Sequence, residues 1–78
     1  MSKNHIEECV RTSLEGYFKD LDGTDPDGMY EMMVRVVEKP LLEEVMQHAE
    51  QNQSRAAEWL GLNRNTLRKK LVEHKLIK

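Results

Sequence analysis

The segment "NQSRAAEWLGLNRNTLRKKL", residues 52–71, decides the fold. It holds two short apolar-periodic stretches separated by Gly61, which is the plan of a helix-turn-helix. Ser54 is a good N-cap for a helix over 55–60, and Gly61 ends it. Asn63 caps a last helix over about 64–74. Ala57 lies where the first helix must approach the second, so a small side chain is required there. Leu67 faces inward from the second helix, and Leu60, Leu62 and Leu71 complete a small core.

The charge of this region is unlike the rest of the chain. The protein carries a formal net charge of −2 over 78 residues. Residues 1–50 sum to −7 and residues 51–78 to +5. An acidic half joined to a basic half points to an anionic partner for the basic half, with double-stranded DNA the first candidate. Residues near the start of a recognition helix reach base edges in the major groove. Arg64 stands there, and arginine pairs bidentately with guanine O6 and N7. Asn63 is adjacent and can reach a base or cap the helix. Thr66, Arg68, Lys69 and Lys70 suit phosphate contacts, which set register without reading sequence. Asn52, Ser54 and Arg55, near the start of the preceding helix, suit the other phosphate flank.

Upstream, Ile6, Val10, Leu14, Phe18 and Leu21 recur at helical spacing, with Cys9 and Tyr17 beside them. Asn4 or Ser2 is the expected cap. The segment "LDGTDPDG", residues 21–28, is turn chemistry, and Asp25-Pro26 reads as the next helix start. The second helical pattern covers 26–50, with Met29, Met32, Met33, Val36, Val37, Leu41, Val45, Met46 and Ala49 on its apolar face. Pro40 lies inside it, and the unbroken phase of Val37, Leu41 and Val45 favours one long kinked helix over two short ones. At about 25 residues such a helix reaches ~37 Å, too long for a chain this size to cover alone. Small domains usually need a disulfide, a metal or a partner subunit. With Cys9 the only cysteine, a partner subunit is the leading remedy, and an intertwined homodimer fits.

The expected class is therefore all-α with four helices. Residues 1–51 form two dimerisation helices and residues 52–78 the helix-turn-helix, in one compact domain. No apolar run long enough to span a membrane and no signal peptide is evident, so a cytoplasmic location is expected. The remaining chemistry-bearing side chains do not combine into a site. His5 and Cys9 stand four apart, but two ligands do not make a zinc site. His48 and His74 read as isolated surface residues, and Trp59 as partly packed against the long helix. The pairs Glu7-Glu8 and Glu43-Glu44 point to different helix faces. No catalytic constellation is present, so no enzyme activity and no cofactor or metal is expected.

Taken together, "NQSRAAEWLGLNRNTLRKKL", "GYFKDLDG" and "YEMMVRVVEKPLLEEVMQ" resemble the Fis family, the bacterial factor for inversion stimulation. The resemblance runs from about Ile6 to Leu71. It implies a homodimeric, nucleoid-associated protein that bends DNA and regulates transcription, with the transcription machinery a candidate partner. It also implies degenerate sites read partly through a narrow minor groove. The family's DNA-contacting positions fall on Asn63, Arg64, Thr66, Arg68, Lys69 and Lys70, and on Asn52, Ser54 and Arg55; the first two lie closest to bases in the family.

The departures also matter. Longer members carry an N-terminal arm that touches DNA invertases, and only about five residues precede the first helical pattern here. That argues against invertase stimulation. Glu50 stands where the best-known members have a basic residue, and "LVEHK" replaces a more basic ending. Asn65 sits where many members have glycine. Two other readings compete: a helical protein-interaction or dimerisation adaptor, and the DNA-binding domain of an NtrC-type activator. Against the second stands the expectation that the chain, beginning at Met1, has a complete two-helix dimerisation region of its own.

Overall fold

The computed structural model describes residues 3–78 and consists of four helices without a strand among them. They are α1 Lys3–Leu21, α2 Met29–His48, α3 Gln53–Leu60 and α4 Arg64–Glu73. The all-α, four-helix class expected from the sequence is the observed one. Asn4 lies inside α1 rather than at its cap, and Ser2 falls outside the described residues.

The second helix begins at Met29, three residues later than Asp25-Pro26 suggested. The cause is Gly28, whose φ of 64° is left-handed and cannot belong to the helix. The helix then runs unbroken through Pro40, which sits exposed on its surface. With 20 residues α2 is about 30 Å long, shorter than the ~37 Å anticipated.

The core is built where α2 meets the last two helices. Leu42, Met46 and Ala49 of α2 and its C-cap, Ala56 and Ala57 of α3, and Leu67 and Leu71 of α4 are buried. Val45, Leu60, Leu62, Leu76 and Ile77 pack around them. Leu41 was the expected core residue and is 48% exposed, whereas its neighbour Leu42 is 1% exposed. One position is 100° of helix, enough to move a side chain from one face to another. The stripe that meets α3 and α4 is thus 42, 46, 49, and a second apolar stripe is left uncovered.

That second stripe includes Val34, Val37 and Leu41, all more than 40% exposed. Together with Val10 of α1, Tyr30 and Met33 it lines an open apolar groove. The first helix has no buried residue at all; Ile6 and Phe18 are each at least half exposed. Tyr17 and Phe18 meet edge to face, with ring centroids 6.0 Å apart.

Three helices end in the same way, with hydrogen bonds that reverse the chain and satisfy the last carbonyls. After α3, Leu62 N–H donates to Ala57 O at 2.9 Å and Gly61 N–H to Glu58 O at 3.2 Å. After α4, Leu76 N–H donates to Leu71 O at 2.8 Å and Lys75 N–H to Val72 O at 2.9 Å. After α2, Gln51 N–H donates to Met46 O at 2.9 Å and Glu50 N–H to Gln47 O at 3.1 Å. Only the α3 ending uses glycine for its left-handed residue; Lys75, Glu50 and Gln51 all adopt positive φ. The α4 ending folds Leu76 and Ile77 back onto the core, a contact the local pattern did not announce.

Candidate nucleic-acid interface

The helix-turn-helix is assembled from its caps outward. The cap of α3 is Asn52, not Ser54: Asn52 Oδ1 accepts the Arg55 backbone N–H at 3.1 Å. The helix therefore starts at Gln53, two residues before the expected position. Asn63 caps α4 as anticipated, its Oδ1 accepting the Asn65 backbone N–H at 2.8 Å. Between the helices Gly61 takes φ 71°, so its left-handed turn sets the angle at which α4 leaves α3. Ala57 is buried at 4% exposure, as close helix approach demands, and Ala56 beside it is buried as completely.

Leu67 and Leu71, both fully buried, anchor α4. At 3.6 residues per turn, Asn65, Lys69 and Val72 then fall on the opposite side of the helix, with Arg68 next to them. Asn65, Arg68, Lys69 and Val72 line one shallow concavity on the outer surface. Arg64 is exposed in the first turn, and Thr66 is exposed on the flank of the helix. Asn52, Ser54 and Arg55 are likewise exposed at the start of α3. Among the described residues Arg64, Arg68 and Lys69 make no ion pair, although the exposed Glu73 stands one turn after Lys69.

Lys70 is placed differently from the other basic residues of α4. Its Nζ donates to Glu38 Oε2 of α2 at 2.9 Å. The other oxygen, Oε1, stands 2.8 Å from His74 Nε2. His74, expected at the surface as an isolated residue, has a side chain only 6% exposed. An ionised Glu38 only accepts, so this contact requires the proton on Nε2. The hydrogen bond from Lys70, followed by that from His74, holds the Glu38 carboxyl below the usual carboxylate range, against the opposing effect of burial. Arg35 and Glu73 approach to 4.0 Å along the same seam, with both side chains largely exposed. These pairs link positions more than thirty residues apart, a distance over which no local spacing could signal them.

The remaining candidates stay apart from this surface. His48 is exposed, as expected. Trp59, expected to pack partly, is 55% exposed. Cys9 is exposed beside His5, and no group of three or more metal-ligating side chains exists among the described residues. No helix among them is long and apolar enough to cross a membrane.

Comparison with known proteins places this arrangement. Residues 33–77 match the family model described as bacterial regulatory protein, Fis family. The chain belongs to the Fis family. A Fis-like DNA-binding protein of Ralstonia nicotianae is 56% identical over 77 residues, spanning 99% of this chain and all of the relative. A Fis-like DNA-binding protein of Neisseria meningitidis serogroup A is 58% identical over 72 residues, 92% of this chain and 91% of the relative. The DNA-binding protein Fis of Glaesserella parasuis is 46% identical over 69 residues, 88% of this chain and 70% of the relative. The Fis family is one of regulators, not enzymes.

Proposed function

We propose that the protein is a homodimeric DNA-binding and DNA-bending regulator, acting on transcription from the bacterial nucleoid. The observation that carries this reading is α4 itself, where Arg64 is exposed in the first turn and Asn65, Arg68 and Lys69 are exposed on the outer surface, none of the three cations held in an ion pair among the described residues. The relatives named for DNA binding support the same partner. In this reading Arg64 and Asn63 contact bases. Thr66, Arg68 and Lys69 grip phosphates on one flank, and Asn52, Ser54 and Arg55 on the other. Lys70, held by Glu38 through one N–H, keeps two further donors for a phosphate.

The dimer is argued from what the protomer leaves uncovered. Val10, Tyr30, Met33, Val34, Val37 and Leu41 line an apolar groove, and no residue of α1 is fully buried within its own chain. A second copy supplies a matching surface by symmetry, since a two-fold interface is self-complementary. Residues 1–51 then serve dimerisation and residues 52–78 DNA, and two copies of α4 face one side of a duplex. The transcription machinery is the further partner this reading entails.

The experiment is a mobility shift of the full chain with duplex DNA at two salt concentrations, combined with sedimentation. Retardation that weakens steeply with salt is expected, from a dimer. Absence of any shift at low salt overturns DNA binding and favours the protein-interaction adaptor. A stable folded monomer overturns the dimer.

A further inference from the structure

We infer that Asn65 is a specificity-determining residue that reads adenine in the major groove, an inference resting on the DNA-binding reading above. Asn65 lies in the first turn of α4, the part of a recognition helix that approaches base edges. It stands two residues before the fully buried Leu67, which turns its side chain to the side opposite the core. It is exposed, it shares its surface with Arg68, Lys69 and Val72, and its carboxamide has no hydrogen-bond partner of its own among the described residues.

The capping bond separates Asn65 from its neighbour Asn63. Asn63 Oδ1 is occupied by the Asn65 backbone N–H at 2.8 Å. Asn63 is therefore tied to the helix end, and one lone pair of its only acceptor is already used. The same bond consumes only the main chain of Asn65, so both the acceptor and the donors of the Asn65 side chain remain open. A carboxamide offers one of each in a plane, which matches adenine N6–H and N7. Arg64 beside it offers donors only and matches guanine. The two adjacent residues thus demand different bases, and the helix reads a step rather than a single position.

The test selects duplexes from a randomised pool with the full-length wild type and with Asn65→Ala. Wild type is expected to enrich adenine at one position in each half-site. Asn65→Ala is expected to lose that preference while keeping the one set by Arg64 and the same salt dependence. A duplex carrying 7-deazaadenine at that position lacks N7; it is expected to bind wild type about tenfold more weakly than the adenine duplex. Asn65→Ala should not distinguish the two. Circular dichroism checks that the variant is folded, and the deazaadenine comparison on wild type does not depend on the variant. If wild type binds DNA but shows no adenine preference, or is indifferent to the loss of N7, or Asn65→Ala keeps the preference, the assignment of Asn65 is overturned. If wild type retards no duplex at all, DNA binding itself has failed.

Discussion

Glu38 Oε2 accepts a hydrogen bond from Lys70 Nζ at 2.9 Å, and this contact ties α2 to α4. With His74 on the other oxygen at 2.8 Å, the carboxylate serves as a shared anchor for the C-terminal half of the basic helix. The pair is only partly exposed, 16% for the Glu38 side chain and 32% for Lys70. Replacing Glu38 by Ala leaves Lys70 and the ring of His74 without their partner. The expected loss is about 1–3 kcal/mol of unfolding free energy, measured by urea denaturation at neutral pH.

The same contact has a pH signature. Because the folded-state pKa of Glu38 is depressed, its stabilisation is present above the ordinary glutamate pKa and is lost as pH falls through the lowered folded value. Unfolding free energy should therefore decline below about pH 4.3. Glu38→Gln keeps the shape but cannot ionise, so its curve should be flatter over that range. Parallel curves for the two proteins would remove Glu38 as a source of acid sensitivity.

Asn63 carries a cap whose loss is separable from any contact with DNA. Asn63→Ala removes the acceptor for the Asn65 N–H and should cost about 1 kcal/mol of stability. Asn63→Asp and Asn63→Ser retain a capping oxygen and should recover most of it in thermal unfolding. Equal melting temperatures for Ala and Asp at this position would show that the cap contributes nothing.

Gly61 tests the turn. It has φ 71°, yet nothing lies within 4 Å of the position a Cβ would take. The cost of Gly61→Ala is therefore conformational, not steric, and about 1 kcal/mol is expected. A loss several times larger would mean that the turn is crowded in the assembled protein.

Val37 tests the proposed dimer separately from the fold. It is 48% exposed on the uncovered stripe and belongs to the apolar groove. Val37→Glu should leave helix content unchanged while shifting the sedimentation coefficient to that of a monomer. In the proposed dimer two linked α4 helices share one duplex, so retardation of duplex DNA should fall by at least tenfold, in line with the usual gain from bivalency. A variant that stays dimeric would place the interface elsewhere.

The sequence by itself determined the elements that local chemistry controls. Gly61 alone satisfies a left-handed residue without strain at that turn, so the helix-turn-helix boundary was visible in one letter. Asn63 was identifiable as a cap because a short acceptor side chain stood directly before a helical run. Leu67, Leu71 and Ala57 were legible as core from spacing, and the outward placing of Asn65, Arg68 and Lys69 followed from the same periodicity, while Arg64 is exposed because it opens the helix. Two helix starts are also set locally, by choices that propensity leaves open. Asn52 and Ser54 are both competent caps, and propensity does not choose between them. The left-handed Gly28 ended the reach of Pro26 as a helix start.

Tertiary structure decided the rest. Leu41 and Leu42 are identical in chemistry, and only the position of α3 and α4 makes Leu42 the buried one. Its periodic partners Met46 and Ala49 were present in the sequence, but so was the competing stripe through Val37 and Leu41. An amphipathic helix with two apolar faces does not declare which face its own chain covers. Glu38, Lys70 and His74 were unreadable as a group for a plainer reason. A charge in a sequence carries no address, and a carboxylate finds its cations only when packing brings two helices side by side. That packing also separated Lys70 from Lys69: adjacent in the chain, one is bound to Glu38 and the other is exposed on the outer face.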